Sequence, residues 1–176
     1  SGTKQWTKQL GTSTTEYGRE LTTDSSGNIY VTGWTGGGLD GNTNSGNSDI
    51  FLVKFNSSGT KQWTKQLGSS SIDIGTGVTT DSSGNIYLTG FIKGGLDGNK
   101  SSGESDIILL KFDSSGTKQW TKQLGTPSYE SGSGVNTDSL GNIYVTGTTL
   151  GGLDGNTNFG EKDIFLIKYN SSGTIQ

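Results

Sequence analysis

Residues 24–33 read DSSGNIYVTG, and this stretch decides the fold because it returns twice along the chain. DSSGNIY recurs at 81–87 and, as DSLGNIY, at 138–144. Two further motifs recur with it: LDGN at 39–42, 96–99 and 153–156, and GTKQWTKQLG at 2–11, 59–68 and 116–125. Each copy follows the previous one after 57 residues, so the sequence predicts one domain (1–176) of three repeats, 2–58, 59–115 and 116–172.

Each repeat predicts four β-strands, lettered A to D from the inside outward. In the first repeat they are A (18–24), B (28–34), C (49–55) and D (60–67). Strands B and C are nearly continuous apolar runs, which is typical of strands covered on both faces. Strand A is rich in small residues, and strand D carries lysines that protect an outer edge. This order predicts an all-β fold, a β-propeller built of four-stranded antiparallel blades.

The composition excludes several classes of protein. The net charge is −3 and there is no basic block, so we expect no nucleic-acid partner. No apolar run is long enough to span a bilayer, so we expect no membrane insertion. The chain has no cysteine and no histidine, which removes disulfides, the commonest general base and the commonest transition-metal ligand.

The acidic residues do not predict catalysis. Asp24, Asp40 and Asp49 stand at turns or strand ends and return in every repeat, which indicates structural roles. A nucleophilic triad would lack its histidine. Arg19 and Glu20, found only in the first repeat, are instead candidates to line the axial mouth. The sequence therefore predicts that this protein is not an enzyme and needs no cofactor, with calcium as the one ion considered below.

The repeat resembles a known family. D-x-x-G-N-I-Y-V-T-G, then L-D-G-N, then D-I-F-L-V-K-F-N-S-S-G-T-K-Q-W, is similar to the SBBP repeat, the seven-bladed β-propeller repeat of bacterial proteins. The resemblance implies blades around an axis and an extracellular or cell-envelope location, and it implies no activity. No signal peptide is recognisable, and the start SGT predicts a processed or excised piece. Repeats this regular indicate recent amplification or engineering.

Three blades are too few for a ring, because propellers typically close with four to eight. An open arc would expose two apolar blade faces, which symmetric association would cover. We therefore expect a homodimer of six blades first and a homotrimer of nine second, with a larger parent protein or a closed monomer as alternatives. Residues 2–10 form a D strand without a blade, so we predict that they are a closing strand for the partner's last blade, where only GTIQ (173–176) remains. A β-trefoil, which needs no partner, is the rival architecture.

Differences between the repeats concentrate in the D–A and B–C connections, which leave the same face of the disc. This predicts a face that binds a glycan or protein ligand, although loops also vary without function. Its candidate residues are Tyr17, Arg19, Glu20, Trp34, Phe91, Lys93, Tyr129 and Phe159. Two functions follow, a non-catalytic scaffold that assembles with itself and, as the alternative, a binding module.

The B–C connection also carries a candidate metal loop, D-G-N-x-[NS]-x-G-x-x-D. Alternating oxygen side chains around a glycine suit a hard cation such as calcium, and the loop resembles calcium loops of some propeller blades. It lacks the glutamate of an EF-hand loop, and the alternative is that these side chains only stabilise turns. The candidate ligands are Asp40, Asn42, Asn44 and Asp49; Asp97, Asn99, Ser101 and Asp106; and Asp154, Asn156, Asn158 and Asp163.

Overall fold

The computed structural model describes residues 1–176 as eleven β-strands and two three-residue 3-10 turns. The strands are β1 (Glu16–Thr23), β2 (Ile29–Thr35), β3 (Asp49–Phe55), β4 (Lys61–Leu67), β5 (Asp73–Thr80), β6 (Ile86–Ile92), β7 (Asp106–Phe112), β8 (Lys118–Leu124), β9 (Glu130–Thr137), β10 (Ile143–Thr149) and β11 (Asp163–Tyr169). The turns are Leu39–Gly41 and Leu153–Gly155. The structure contains no helix that could span a membrane.

Each repeat forms its own antiparallel sheet. The sheet orders are β1-β2-β3-β4, β5-β6-β7-β8 and β9-β10-β11, which we call blades 1, 2 and 3. The predicted blade is therefore confirmed, with strand boundaries in the first repeat within two residues of those expected. The β-trefoil alternative is wrong, because each repeat closes a separate sheet and the sheets stack face to face.

The A–B turn of each blade is held by one aspartate. The Asp24 carboxylate accepts bonds from the backbone N–H groups of Ser26 and Asn28, both at 2.9 Å, and from the Tyr30 hydroxyl at 3.0 Å. Gly27 follows at φ +77°, the left-handed conformation that glycine adopts most easily. Burial opposes ionisation of Asp24, but the bonds from Asn28, Tyr30 and Ser26 outweigh it and lower its pKa. Asp81 and Asp138 repeat the arrangement.

The apolar core lies between the blades. Tyr30, Ile50 and Leu52 of blade 1 pack against blade 2, and Tyr87, Ile107 and Leu109 of blade 2 pack against blade 3. Side chains alternate along a strand, so β3 sends Ile50 and Leu52 to one side and Phe51, Val53 and Phe55 to the other. Each blade consequently has two apolar faces and needs a neighbour on both.

Candidate assembly interface and loop face

The two junctions between neighbouring blades share one pattern of polar contacts. At the first, the backbone N–H of Asp73 donates to the Ser48 carbonyl at 2.9 Å, and Lys54 Nζ donates to the Ser114 carbonyl at 3.0 Å. At the second, Glu130 N–H donates to Ser105 at 2.9 Å, and Lys111 donates to Ser171 at 3.3 Å. Because each pair recurs one repeat later, these contacts define what a further junction requires.

The outer strand is attached through one glutamine in each complete blade. Gln66 Nε2 donates to the Asp49 carboxylate and to the Gly37 carbonyl, both at 3.0 Å, and its Oε1 accepts from Leu39 N–H at 2.9 Å. Gln123 repeats these contacts in blade 2. On the same strand, Lys61 forms an ion pair with Asp40. Burial raises the pKa of Asp40, but the bonds from Lys61 and Thr64 outweigh burial and lower this pKa below its usual value.

Blade 3 has no such outer strand. Beyond β11 the chain forms one isolated bridge, between Tyr169 and Ile175. Ile164 is 88% exposed and Leu166 is 72% exposed, whereas the equivalent Ile50 and Leu52 in blade 1 are fully buried. The outer edge of blade 3 and its back face, the side turned away from blade 2, are therefore open.

Residues 2–10, the predicted closing strand, form no β-strand within this chain. They nevertheless lie where an outer strand belongs. An added Cβ at Gly59 would meet the Trp6 ring and the Lys8 side chain, just as one at Gly116 would meet Trp63 and Lys65 of the preceding repeat. The segment therefore lies on the front of blade 1 as the outer strand of a preceding blade would.

The front of blade 1, the side turned away from blade 2, is the second open face. Phe51, Val53 and Phe55 form an apolar cluster there, against which Leu10 of the N-terminal segment packs. Coverage is partial, because Leu21 is 59% exposed whereas its counterpart in blade 2, Val78, is 5% exposed. The two exposed faces expected of a three-blade arc are both present.

The structure divides the predicted ligand-face residues into groups. Tyr17 and Trp34 stack with ring centroids 4.8 Å apart, and the Arg19 guanidinium lies 5.9 Å from the Tyr17 ring. Phe91 and Tyr129 pack at 5.7 Å across the junction of blades 2 and 3.

Three predicted residues stand outside these groups. Glu20 accepts a bond from the neighbouring Leu21 N–H, the Lys93 side chain is exposed, and Phe159 is 90% exposed on its own loop. The face therefore offers two separate aromatic groups, one within blade 1 and one across the junction of blades 2 and 3, rather than one continuous surface.

Sequence reasoning missed a group of acids that begin strand A. Glu16 and Glu130 reach the Thr35 and Thr149 hydroxyls, at 3.1 and 3.0 Å, at the end of strand B. In blade 2 the threonine is replaced by Ile92, and the shorter Asp73 accepts the Lys93 N–H instead. The paired change from Glu and Thr to Asp and Ile was the signal available in the sequence.

The predicted calcium ligands make contacts within the protein. Asn42 donates to the Leu39 carbonyl at 2.7 Å, and Asn44 donates to the Gly46 carbonyl at 2.5 Å. Asp49 accepts from Ser45 N–H at 2.8 Å. The second and third loops follow this pattern, with Asn99, Asn156, Ser101, Asp97, Asp106, Asn158 and Asp163 bonded to protein groups.

No set of three or more Asp or Glu side chains in the chain gathers as a metal ligand group would. The calcium loops stay a prediction.

Stacked antiparallel sheets, two of four strands and one of three, each with an inner strand A, define a β-propeller repeat protein. The SBBP beta-propeller repeat matches residues 5–40, 62–96 and 119–154, more than half of the chain. The chain therefore belongs to the SBBP beta-propeller repeat family.

Two curated proteins are similar to this chain. An uncharacterized WD repeat-containing protein, L264 of Acanthamoeba polyphaga mimivirus, is 24% identical over 97% of the chain and 16% of its own length. The regulatory protein FlaEY of Caulobacter vibrioides is 25% identical over 90% of the chain and 18% of its own length. The chain thus spans less than a fifth of either relative. The family and these likenesses indicate a non-catalytic repeat module.

The glutamine of the outer strand offers a direct test of the junction geometry. We expect Gln66→Ala to lower the free energy of unfolding by about 1–3 kcal/mol, because it leaves the Leu39 N–H without a partner and removes one of the two bonds to the buried Asp49 Oδ2. Gln62→Ala, on the same strand, is the matched control: its amide contacts only the Thr60 carbonyl, so we expect a change within about 0.5 kcal/mol. Equal effects in chemical denaturation would contradict the assignment.

Proposed function

We propose that this chain is a non-catalytic scaffold that completes a propeller ring by associating with copies of itself. The back of blade 3 in one copy receives the front of blade 1 in the next. Two features of the chain carry the proposal. β11 is a sheet edge that lacks an outer strand, and residues 2–10 have the sequence of an outer strand but belong to no sheet of their own chain.

The repeat fixes the expected register between copies. In blade 1, Ile50 pairs with Leu67, Leu52 with Lys65 and Lys54 with Trp63. The positions equivalent to β3 in the third repeat and to β4 in the N-terminal segment give the expected contacts between copies. Ile164 lies opposite the partner's Leu10, Leu166 opposite the partner's Lys8 and Lys168 opposite the partner's Trp6.

The polar contacts of a complete blade would form with it. The partner's Gln9 takes the place of Gln66 and reaches Asp163, the counterpart of Asp49. The partner's Lys4 takes the place of Lys61 and pairs with Asp154, the counterpart of Asp40. Opposite charges and matching donors therefore support a second copy of this chain as the occupant.

The apolar faces are also complementary. Ile164 and Leu166 correspond to residues that are buried against blade 2 in the first junction, and Leu21, Val53 and Phe55 correspond to residues that bury them. Ile164, Leu166 and Leu21 are exposed in the single chain, and burying a large apolar side chain is worth roughly 1.5–3 kcal/mol, so covering these three favours association.

A homodimer is the favoured assembly. Two copies give six blades, within the usual range of four to eight, whereas three copies give nine. Both rings use the same junction, so the angle between neighbouring blades decides between them.

Association is tested by breaking the interface on one side. Light scattering on a sizing column should give a mass near twice the 18.4 kDa of one chain, or three times that mass for the trimer. Leu166→Glu should reduce it to that of one chain, because a charge would be buried at the position equivalent to Leu52.

Leu140→Glu is the matched control for this experiment. Leu140 is 85% exposed on the A–B turn of the same blade, away from both open faces, so the mass should not change. A wild-type chain that is monomeric at micromolar concentration would overturn the proposal, as would an L166E variant that keeps the full mass.

A second candidate function is ligand binding on the loop face. The Tyr17–Trp34 stack favours it, since Tyr17 is 52% exposed and the buried Trp34 Nε1 has no hydrogen-bond partner. Stacked aromatic rings beside a guanidinium suit flat, hydroxyl-bearing ligands such as glycans. If this face binds, the chain should be retained on a glycan array, and Tyr17→Ala should abolish retention while Leu140→Ala leaves it unchanged. No retention of the wild type, or equal retention of the wild type and the Tyr17→Ala variant, would count against ligand binding on this face.

A further inference from the structure

The three repeats differ in charge and shape at one place on blade 1. Strand A of this blade carries Tyr17, Arg19 and Glu20, and strand B adds Trp34; we call these four residues the blade 1 group. The equivalent residues are Ile74, Thr76, Gly77 and Phe91 in blade 2 and Ser131, Ser133, Gly134 and Thr148 in blade 3. Strands A and B pair in the same register in all three blades, so the fold does not require the blade 1 group.

A β-bulge directs Arg19 and Glu20 to the same side of strand A. The pairing with β2 skips Arg19, and the same bulge recurs in the other two blades. In blade 2 the counterpart of Arg19, Thr76, donates to a blade 3 carbonyl at 2.6 Å. A Cβ added at Gly77, the counterpart of Glu20, would lie 3.2 Å from the strand A backbone of blade 3. Both positions face the next blade, so Arg19 and Glu20 lie side by side toward blade 2.

The charged members of the blade 1 group are free to bind a ligand. Arg19 is the only arginine of the chain and forms no ion pair, since both ion pairs are made by lysines of β4 and β8. Its guanidinium lies 5.9 Å from the Tyr17 ring centroid. Glu20 is exposed, and its Oε1 accepts the Leu21 N–H at 3.0 Å, which leaves Oε2 without a partner.

The aromatic members also lack a partner. Tyr17 stacks on Trp34 with ring centroids 4.8 Å apart, and Tyr17 is exposed. The Trp34 Nε1–H is buried and donates to no acceptor of the protein. A buried indole N–H normally has a hydrogen-bond partner, so the stack is incomplete in the protein alone.

The blade 1 group has the chemistry of a site for an acidic sugar. An exposed aromatic ring packs against the C–H face of a sugar ring, and a free carboxylate oxygen accepts hydroxyl groups. A guanidinium binds a carboxylate through two parallel hydrogen bonds. We propose that the blade 1 group binds a uronic acid residue of a glycan, with Tyr17 against the ring, Arg19 on the sugar carboxylate and Glu20 on the hydroxyls.

The charge around the site favours a carboxylate over a phosphate. One guanidinium stands beside Glu20 on a chain of net charge −3, so the site can balance one negative charge better than two. The proposal rests on the second candidate function, ligand binding on the loop face. It does not depend on self-association, because one chain supplies all four residues.

Calorimetric titration with matched ligands tests the proposal. The ligands are oligomers of galacturonic acid and of glucuronic acid, each as the free acid and as the methyl ester, which keeps the sugar ring and removes its charge. We expect at least one of the acids to bind about tenfold or more tightly than its ester, because hydrogen bonds between charged groups are the stronger ones. The repeats themselves supply substitutions that this fold tolerates. Arg19→Thr installs the residue of blade 2, Thr76, and the acid should then bind no better than the ester.

Lys100→Thr is the matched control. It also removes one positive charge from an exposed residue and installs the threonine of the other repeats (Thr43 and Thr157), so the preference for the acid should not change. The proposal fails if the wild type binds acid and ester equally, if R19T keeps the preference, or if a sulfated oligomer binds more tightly than the acids.

A further variant separates this failure from that of the candidate function. If acid and ester bind equally and Tyr17→Ile, the residue of blade 2, weakens both, the loop face binds sugars without reading their charge and only the uronic acid proposal is overturned. If no oligomer binds, the uronic acid proposal is also overturned, and the glycan array alone decides whether the face binds another glycan.

Discussion

The structure depends on one constraint: strands B and C of every blade are apolar on both faces, so each blade is stable only between two neighbours. Blade 2 satisfies this constraint, with Ile108, Leu110 and Phe112 packed toward blade 1 and Ile107 and Leu109 packed toward blade 3. Blades 1 and 3 satisfy it on one side each. The same apolar pattern that makes the repeat fold thus leaves apolar side chains exposed at both ends of the arc of three blades.

A polar network at one end of each junction gives this apolar stacking its register. Strand C begins with an aspartate, strand A of the next blade begins with an acid, and a glutamine of the outer strand joins the first of these to the B–C loop. Buried polar groups of this kind are costly when unpaired, so they penalise slipped arrangements more than apolar contacts do. The network therefore specifies where a neighbouring blade lies, while the apolar faces provide the free energy.

The fold was predictable because each blade repeats local signals: a 57-residue period, β-branched runs and DSSG or NSSG turns. The contacts between blades were not, because they join residues that no local pattern relates. The exchange of Glu16 and Thr35 for Asp73 and Ile92 has meaning only once strands A and B are paired. The approach of the Asp49 and Asp73 carboxylates to the same glycine, Gly68, likewise arises from stacking, since Asp49 alone has the pattern of a turn or calcium-loop residue. Among the aromatic candidates of the ligand face, only the structure shows which of them stack.

The most direct test of the account is a disulfide between copies, which is simple to interpret because the chain has no cysteine. Lys8→Cys with Leu166→Cys places thiols at positions equivalent to the direct neighbours Lys65 and Leu52. Under mild oxidation the account predicts a covalent dimer, or a covalent trimer for nine blades. Linkage should be much weaker when Lys8→Cys is combined instead with Ile164→Cys, two residues out of register. A disulfide formed within one chain, or equal linkage in both registers, would contradict the closure of the ring between copies.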